Sequence, residues 1–338
     1  MGESKFQIGM RDAFFEALFP LFEADRNRIL ITADNGAPSL DRFSSKLPEQ
    51  FINVGIAEAL LVGMASGMAF EGKRVYAYAI APFLTSRCYE QNKLDLAAMS
   101  LPVVLVGVGA GYAYDIMGPS HHTVDDITLM RALPNMAVYS PADGFCAASL
   151  ARLTSRAEGP VYIRFDRAGI PNLYEGLETA AFAPGCLKPR SGDDLIILAT
   201  GVMVHQALLV ADRLAQKGIS CGVVDIFRLK PLNQSLLLDW IGTRPTVTLE
   251  EHLLAGGLGS LIAELFCDEG VPAKLLRLGQ RDRFVFDYGG RSVIWEKHGL
   301  DAASIEKEIL RWLKKGVTRP PRRGATSALS LGSAPHGH

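Results

Sequence analysis

The chain has 338 residues, 48% of them apolar and 21% charged, with a formal net charge of −1. That is the composition of a globular protein long enough for two domains. A near-neutral balance excludes a broad basic footprint for nucleic acid, and no apolar run is long and uninterrupted enough to span a membrane. The opening Met-Gly-Glu-Ser-Lys-Phe has no signal-peptide core and fails the myristoylation pattern at Phe6. Cys88, Cys146, Cys186, Cys221 and Cys267 are scattered, odd in number and never paired as Cys-x-x-Cys. A reducing, cytoplasmic setting without a zinc site is therefore expected.

Residues 9–25 read as an amphipathic helix with Met10, Phe14, Leu18 and Leu21 near one face, and Pro20 should kink or end it. Residues 28–34 form an apolar strand closed by Asn35-Gly36. Asp34 stands at that strand's end, where open α/β sheets bind ligands, although a turn aspartate needs no ligand. The next run opens as Asn53-Val54-Gly55-Ile56-Ala57-Glu58. Ile56, Leu60, Met64 and Met68 recur at helical spacing, with Gly63, Ala65, Gly67 and Ala69 leaving little bulk between them. A helix buried on nearly every face is expected. Glu58 lies in its first turn with no lysine or arginine within a turn. Spacing alone leaves two readings open: a solvent-facing glutamate favoured by the helix dipole, and a buried carboxyl that needs a hydrogen-bond partner.

Strands are expected at 74–80 and 101–108, around a helix at 83–99, an order that argues for a parallel sheet covered on both faces. The following loop, 109–122, is rich in glycine and tyrosine and ends in His121 and His122, just before a helix expected at 123–130. Loops carried on a rigid sheet are where chemistry concentrates. A histidine there can shuttle protons or cap the helix, but two without other ligands nearby do not make a metal site. Short strands at 135–140 and 161–165 flank a helix at 143–156. At the second strand's end, Arg164 and Arg167 could grip a phosphate or carboxylate, or Arg164 could simply pair with Asp166.

Proline and glycine accumulate from Pro171 onward. The expected division is a first domain at 1–175, a linker at 176–193, a second domain at 194–316 and a disordered tail at 317–338. The second unit repeats the pattern: strands at 195–199, 221–227 and 246–250, helices at 203–217 and 301–315, and a turn at Leu229-Lys230-Pro231-Leu232. Gly256-Gly257-Leu258-Gly259 precedes a helix at 260–267. No lysine follows as in a P-loop, and the spacing is not the dinucleotide fingerprint. These glycines read as close packing at a helix start. The fold class is α/β, two domains with mainly parallel sheets covered by helices.

Taken in order, several stretches resemble the transketolase family of thiamine diphosphate enzymes. They are Asn53-Val-Gly-Ile-Ala-Glu58, Phe83-Leu84 with Tyr89, Gly118-Pro-Ser-His121 followed by Arg131-Ala-Leu-Pro-Asn-Met136, and Gly159-Pro160 through Arg167. Ala199-Thr-Gly201, Lys230-Pro-Leu232 and Glu250-Glu-His252 with Gly256-Gly-Leu-Gly259 complete the set. The resemblance spans residues 5–315 and implies a pyrimidine-binding domain followed by a transketolase C-terminal domain. Gly-Asp-Gly, the family's diphosphate and metal motif, occurs nowhere in the sequence. The chain thus resembles the C-terminal subunit of a split transketolase. An N-terminal subunit would carry the Gly-Asp-Gly domain and hold Mg²⁺ and the diphosphate of a shared thiamine diphosphate, and homodimerisation would give a heterotetramer.

The resemblance also implies roles. Glu58 would hydrogen-bond the cofactor's pyrimidine nitrogen, with Phe83 or Tyr89 on the ring face and Asp34 near the thiazolium side. His121 would move protons at reacting oxygens, with His122 a weaker candidate. Arg167 would grip a substrate phosphate, with Arg164 beside it. Ser86 stands where transketolases proper carry a second aromatic. Met117 stands where they carry an acid that reads a donor hydroxyl, so donor and acceptor stay open. The implied activity is transfer of a two-carbon ketol unit between a ketose and an aldose, either of which could be phosphorylated. The alternatives are a deoxyxylulose-phosphate synthase-like enzyme, the beta subunit of a 2-oxo-acid dehydrogenase, and a noncatalytic binding subunit.

Overall fold

The computed structural model describes residues 9–315, apart from Ala168 and Ala273; the tail expected from 317 lies outside the described residues. The strands are β1 (Arg28–Thr32), β2 (Phe51–Asn53), β3 (Arg74–Ile80), β4 (Val103–Val108), β5 (Ala137–Tyr139), β6 (Val161–Phe165), β7 (Cys186–Arg190), β8 (Leu195–Ala199), β9 (Cys221–Ile226), β10 (Arg228–Lys230), β11 (Thr246–Leu253) and β12 (Leu275–Gln280). They form two sheets, ordered β10-β5-β6-β4-β3-β1-β2 and β12-β11-β8-β9-β7. Among these strands only the edge strands β10 and β7 run antiparallel to their neighbours. Strands β4, β6, β8 and β9 are buried along their whole length, as continuous apolar strands covered by helices on both faces should be.

The helices are α1 (Met10–Ala24), α2 (Pro38–Lys46), α3 (Glu58–Phe70), α4 (Ala81–Thr85), α5 (Tyr89–Gln91), α6 (Asp126–Arg131), α7 (Gly144–Thr154), α8 (Met203–Ala215), α9 (Gln234–Ile241), α10 (Leu258–Asp268), α11 (Arg291–His298) and α12 (Ala302–Lys315). Helix α1 buries Phe14, Phe15, Leu18, Phe19 and Phe22 and runs on past Pro20. Pro20 is exposed, so the carbonyl it deprives of a partner faces solvent and the helix survives.

Three expectations change. The 83–99 helix is interrupted: α4 ends at Thr85, Ser86–Cys88 form a turn, and after α5 the chain winds more widely over Asn92–Ala97. The Asn92 side chain reaches back to donate to the Leu84 carbonyl at 2.8 Å, tying the wide turn to α4. Helix α3 is not enclosed on every face. It buries Glu58, Leu61, Val62, Ala65, Ser66 and Ala69, while Leu60 and Phe70, and Ile56 just before it, stand in solvent. A uniformly apolar helix does not say which side its own chain covers. Finally, Cys186–Arg190 falls in the expected linker and pairs with β9 as an edge strand.

The two halves are stitched together. Strand β10, from the second half of the chain, adds to the first sheet beside β5, and Lys230 donates to the carbonyls of Arg131 and Leu133 at 2.9 and 2.6 Å. At the start of α10, the amides of Leu258 and Gly259 donate to Glu250 at 2.7 and 2.8 Å. The glycine turn is therefore filled by the protein's own carboxylate. A Cβ on Gly257 would strike Glu250 Oε2 and His252 Nδ1. Gly257→Ala should cost more than ~2 kcal/mol of stability through overpacking, measured as a lowered urea midpoint with an unchanged slope.

Candidate active site

The site begins at the carboxyl ends of β1 and β2. Asp34 has a positive φ of 55°, and its side chain and amide engage Asn53 in both directions, at 3.1 and 3.0 Å. Asn53 Oδ1 also accepts from the Gly55 amide at 3.0 Å. One side chain thus ties the end of β1 to the turn that launches α3. Gly55, at φ 73°, supplies the left-handed step that swings the chain into the helix. Asp34 itself is exposed.

Glu58 follows in the first turn of α3, 5% exposed. Its partner was not visible in the local sequence. Arg87, from the turn between α4 and α5, donates to Glu58 Oε2 at 2.7 Å, and its guanidinium carbon lies 4.0 Å from the centre of the Phe83 ring. Phe83 also meets His121 edge-on, with ring centres 5.0 Å apart. Beyond His121 comes Tyr114, at 5.6 Å between rings, and Arg167 lies over Tyr114 at 5.0 Å. Glu58, Arg87, Phe83, His121, Tyr114 and Arg167 form one continuous file. Arg87 and Tyr114 are additions to the residues read from sequence. A tyrosine in a glycine-rich loop was a signal for the second, but the arginine had none.

His121 Nδ1 is 3.0 Å from Ser120 Oγ, which leaves Nε2 as its free edge. Burial pushes its pKa below the ordinary 6.5, and the nearby Arg87 charge pushes the same way. His122 is buried against Tyr112, with ring centres 5.0 Å apart, and neither of its ring nitrogens has a hydrogen-bond partner among the described residues. It lines a cavity of about 800 Å³ whose wall includes Phe83, Arg87, Ser120, Asp125 and Arg283. Tyr89 is partly buried and packs against the core, whereas the Phe83 ring carries the Arg87 guanidinium that is bonded to Glu58.

Arg164 is not available to a ligand. It is buried and donates to Asp126 Oδ2 at 2.8 Å and the Thr123 carbonyl at 3.0 Å. Its partner is Asp126 rather than Asp166, which pairs with Arg291. The Arg164–Asp126 pair, joined by the Tyr162 hydroxyl at 2.7 Å, fixes the chain just after His121 and His122. Among the described residues no group of three or more His, Cys, Asp or Glu is arranged to hold a metal ion, and no helix is long and apolar enough to cross a membrane.

Residues 6–172 match the transketolase pyrimidine binding domain, and residues 186–305 match the transketolase C-terminal domain. The chain is 36% identical over 313 residues to a putative transketolase C-terminal section of Methanocaldococcus jannaschii, covering 91% of this chain and 97% of the relative. The chain belongs to the transketolase family. It is also 33% identical to one of the subunits of an apulose-4-phosphate transketolase of Phocaeicola vulgatus, covering 91% of this chain and 98% of the relative. A solved split gene transketolase, described as an inactive beta4 tetramer, superposes with a TM-score of 0.80 at 34% identity, covering 91% of this chain and 99% of the other. Two mainly parallel sheets carrying the two family domains agree with the fold class expected from sequence.

The two arginines near the end of β6 should separate cleanly. Arg164→Met leaves the Asp126 carboxylate buried without its cation and should cost about 3–5 kcal/mol, whereas exposed Arg167→Ala should stay within about 0.5 kcal/mol of the parent. Both are read from denaturant unfolding. The His121 imidazole should titrate below 6.5 and be neutral at pH 7, checked by its ring ¹⁵N shifts against pH.

Proposed function

We propose that this chain is the C-terminal subunit of a thiamine diphosphate-dependent transketolase, the half that activates the cofactor's pyrimidine and meets the sugar. The observation that carries the reading is Glu58: a buried carboxyl at a helix start, beside an aromatic face, with a histidine in contact with that same ring. The residues fit the pyrimidine end of the cofactor. A carboxyl, a flat ring and a cationic N–H group, that of Arg87, already meet at one point, so the place accepts a planar nitrogen base. Bound there, thiamine diphosphate supplies the nucleophilic carbon that accepts a ketol unit.

Each residue then has a task. Glu58 hydrogen-bonds the ring nitrogen of the pyrimidine from its buried place at the start of α3. Phe83 packs on the ring face, and Asp34, at the strand end, borders the thiazolium side. His121, neutral at pH 7 with one nitrogen on Ser120, accepts or returns a proton at a sugar hydroxyl. His122, a lining residue of the cavity whose buried ring nitrogens have no partner among the described residues, is the weaker candidate for a further polar group of the sugar. Arg167, at the outer end of the file, grips a phosphate. The name of the Phocaeicola vulgatus relative, which specifies apulose-4-phosphate, supports a phosphorylated substrate.

The partner reading has its own support. The Asn53–Glu58 motif, whose Ile56 is 80% exposed, leads into an open apolar face of α3, with Leu60 59% exposed and free space around Gly63 and Gly67. Contiguous apolar surface of this kind marks an interface. An N-terminal subunit carrying the Gly-Asp-Gly domain would cover it, holding Mg²⁺ and the diphosphate, and pairing of two such units gives the heterotetramer. The solved relative's description, an inactive tetramer of beta chains, supports dependence on that partner. The five free cysteines suit the reducing cytoplasm. For domain limits we propose 1–175 and 194–316, with the 317–338 tail beyond them and β7 within the connecting stretch 176–193.

Co-expression with the Gly-Asp-Gly chain, thiamine diphosphate and Mg²⁺ should give ketol transfer in a donor–acceptor screen, and neither chain alone should. Tight thiamine diphosphate binding by this chain alone would sink the partner reading. Release of CO₂ from 2-oxo acids without ketol transfer would decide for a 2-oxo-acid dehydrogenase subunit. In the assembled enzyme, Glu58→Gln should lower turnover by about a hundredfold or more with the fold intact. Arg167→Ala should raise KM for phosphorylated substrates while leaving that for unphosphorylated ones nearly unchanged.

A further inference from the structure

Arg87 has no task in the mechanism above, and it stands where the mechanism needs space. Its guanidinium makes the two contacts that a bound pyrimidine would require. One is a hydrogen bond to Glu58 Oε2 at 2.7 Å, and the other is a stack over the Phe83 ring at 4.0 Å. A guanidinium and an aminopyrimidine are both flat, bear N–H groups and present them edge-on to a carboxylate, so one can stand in for the other. They cannot make those contacts together, because a ring stacked on that face of Phe83 would occupy the place the guanidinium now fills beside Glu58 Oε2.

We propose that Arg87 is a resident placeholder for the cofactor's aminopyrimidine. In the isolated chain it neutralises Glu58 and covers Phe83, and it leaves when the pyrimidine enters. The inference rests on the thiamine diphosphate reading of Glu58 and adds a competitor built into the chain.

The surroundings suit such a movement. The Glu58 side chain is 6% exposed and that of Arg87 is 48% exposed, so the carboxylate is the fixed partner and the arginine the movable one. Arg87 lies in the Ser86–Cys88 break between two short helices, where the amides of Ser86 and Arg87 share the Pro82 carbonyl at 3.1 and 3.3 Å. A regular helix would have given each amide its own acceptor. The cavity of about 800 Å³ opens beside it, and Asp125 on the same wall offers a second carboxylate. Removing the cation without a replacement would leave the buried Glu58 carboxylate uncompensated, which accounts for a placeholder being present at all.

The test uses the whole chain without its partner and the neutral fragment 4-amino-5-hydroxymethyl-2-methylpyrimidine, followed by calorimetry or ligand-observed NMR. This probe lacks both the diphosphate and the thiazolium charge, so its binding reports on this half-site alone. Arg87→Met keeps much of the side chain's bulk and removes the cation. It should bind the fragment about tenfold more tightly than the parent, the ~1.4 kcal/mol that a half-exposed ion pair and cation–π contact together represent. Arg87→Lys, which keeps the charge and loses the flat face over Phe83, should gain less than Arg87→Met, and adding Glu58→Gln to Arg87→Met should abolish the gain. Equal or weaker binding by Arg87→Met overturns the proposal, the weaker result because Arg87 would then be a ligand of the pyrimidine rather than its rival. A gain that survives Glu58→Gln overturns it as well, since the two would not be competing for that carboxyl. Failure of the functional reading looks different: the assembled complex would lack ketol transfer while the fragment series still showed its Glu58-dependent gain.

Discussion

The loop that carries His121 and His122 is held by a carboxylate in the other half of the chain. Glu251, buried at the end of β11, accepts from the Tyr112 amide at 3.0 Å and from Arg291 Nε at 2.9 Å. It is bonded as well to the Trp295 indole. Arg291 in turn pairs with Asp166, the residue after β6. Several donors from separate elements converge on one desolvated charge, the condition under which a buried ionised group is tolerated. A glycine-rich loop has little side-chain packing to define its path, and this anchor supplies what the loop lacks. Gly111 is part of the arrangement: at φ 59° it turns the chain toward Glu251, and a Cβ there would collide with the carboxylate.

The anchor gives the C-terminal domain a role in the site that does not require it to touch a substrate. Leu253 donates to the Val124 carbonyl at 2.7 Å, Thr128 donates to the Ala255 carbonyl at 2.7 Å, and the Tyr112 hydroxyl donates to Gln280 at 2.7 Å. Contacts thus bracket the histidines on both sides, from 112 to 128. Behind them lies a second buried group: His252 Nε2 and Asp126 Oδ1 are 3.8 Å apart, with burial lowering the imidazole's pKa. Glu250-Glu251-His252 works as a unit of three directions. Glu250 receives the start of α10, Glu251 receives the loop, and His252 faces the Arg164–Asp126 pair.

How much of this was legible in the sequence follows from what each kind of signal encodes. The central strands were readable because a parallel strand covered on both faces must be apolar throughout, as 103–108 and 195–199 are. Helix α2, strand β12 and helix α11 were missed. Each is only partly buried, so tertiary contacts rather than a continuous apolar run fix it. The family motifs pointed to Glu58, Phe83 and His121, and the geometry gathers all three. They could not show that Arg164 is spent on Asp126, since a strand-end arginine looks alike whether its carboxylate is internal or a ligand's. Nor could they show Arg87, whose contact with Glu58 spans 29 residues and depends on a helix breaking where the apolar pattern runs on.

That break links the fold to the electrostatics of the site. Were 83–99 one regular helix, residues 83 and 87 would still share a face, but the cation would be held as rigidly as the ring. Instead α4 is a five-residue piece pinned at its far end by Asn92, whose amide nitrogen holds the Leu84 carbonyl. Phe83 is therefore fixed from behind, while Arg87, one turn on, sits in backbone with fewer of its own hydrogen bonds. The two residues that meet at Glu58 differ in freedom for that reason. The ring is part of a wall, and the cation is part of a turn. Glu58 is the fixed point between them, so a planar cation or base that stacks on Phe83 beside it must exchange places with Arg87.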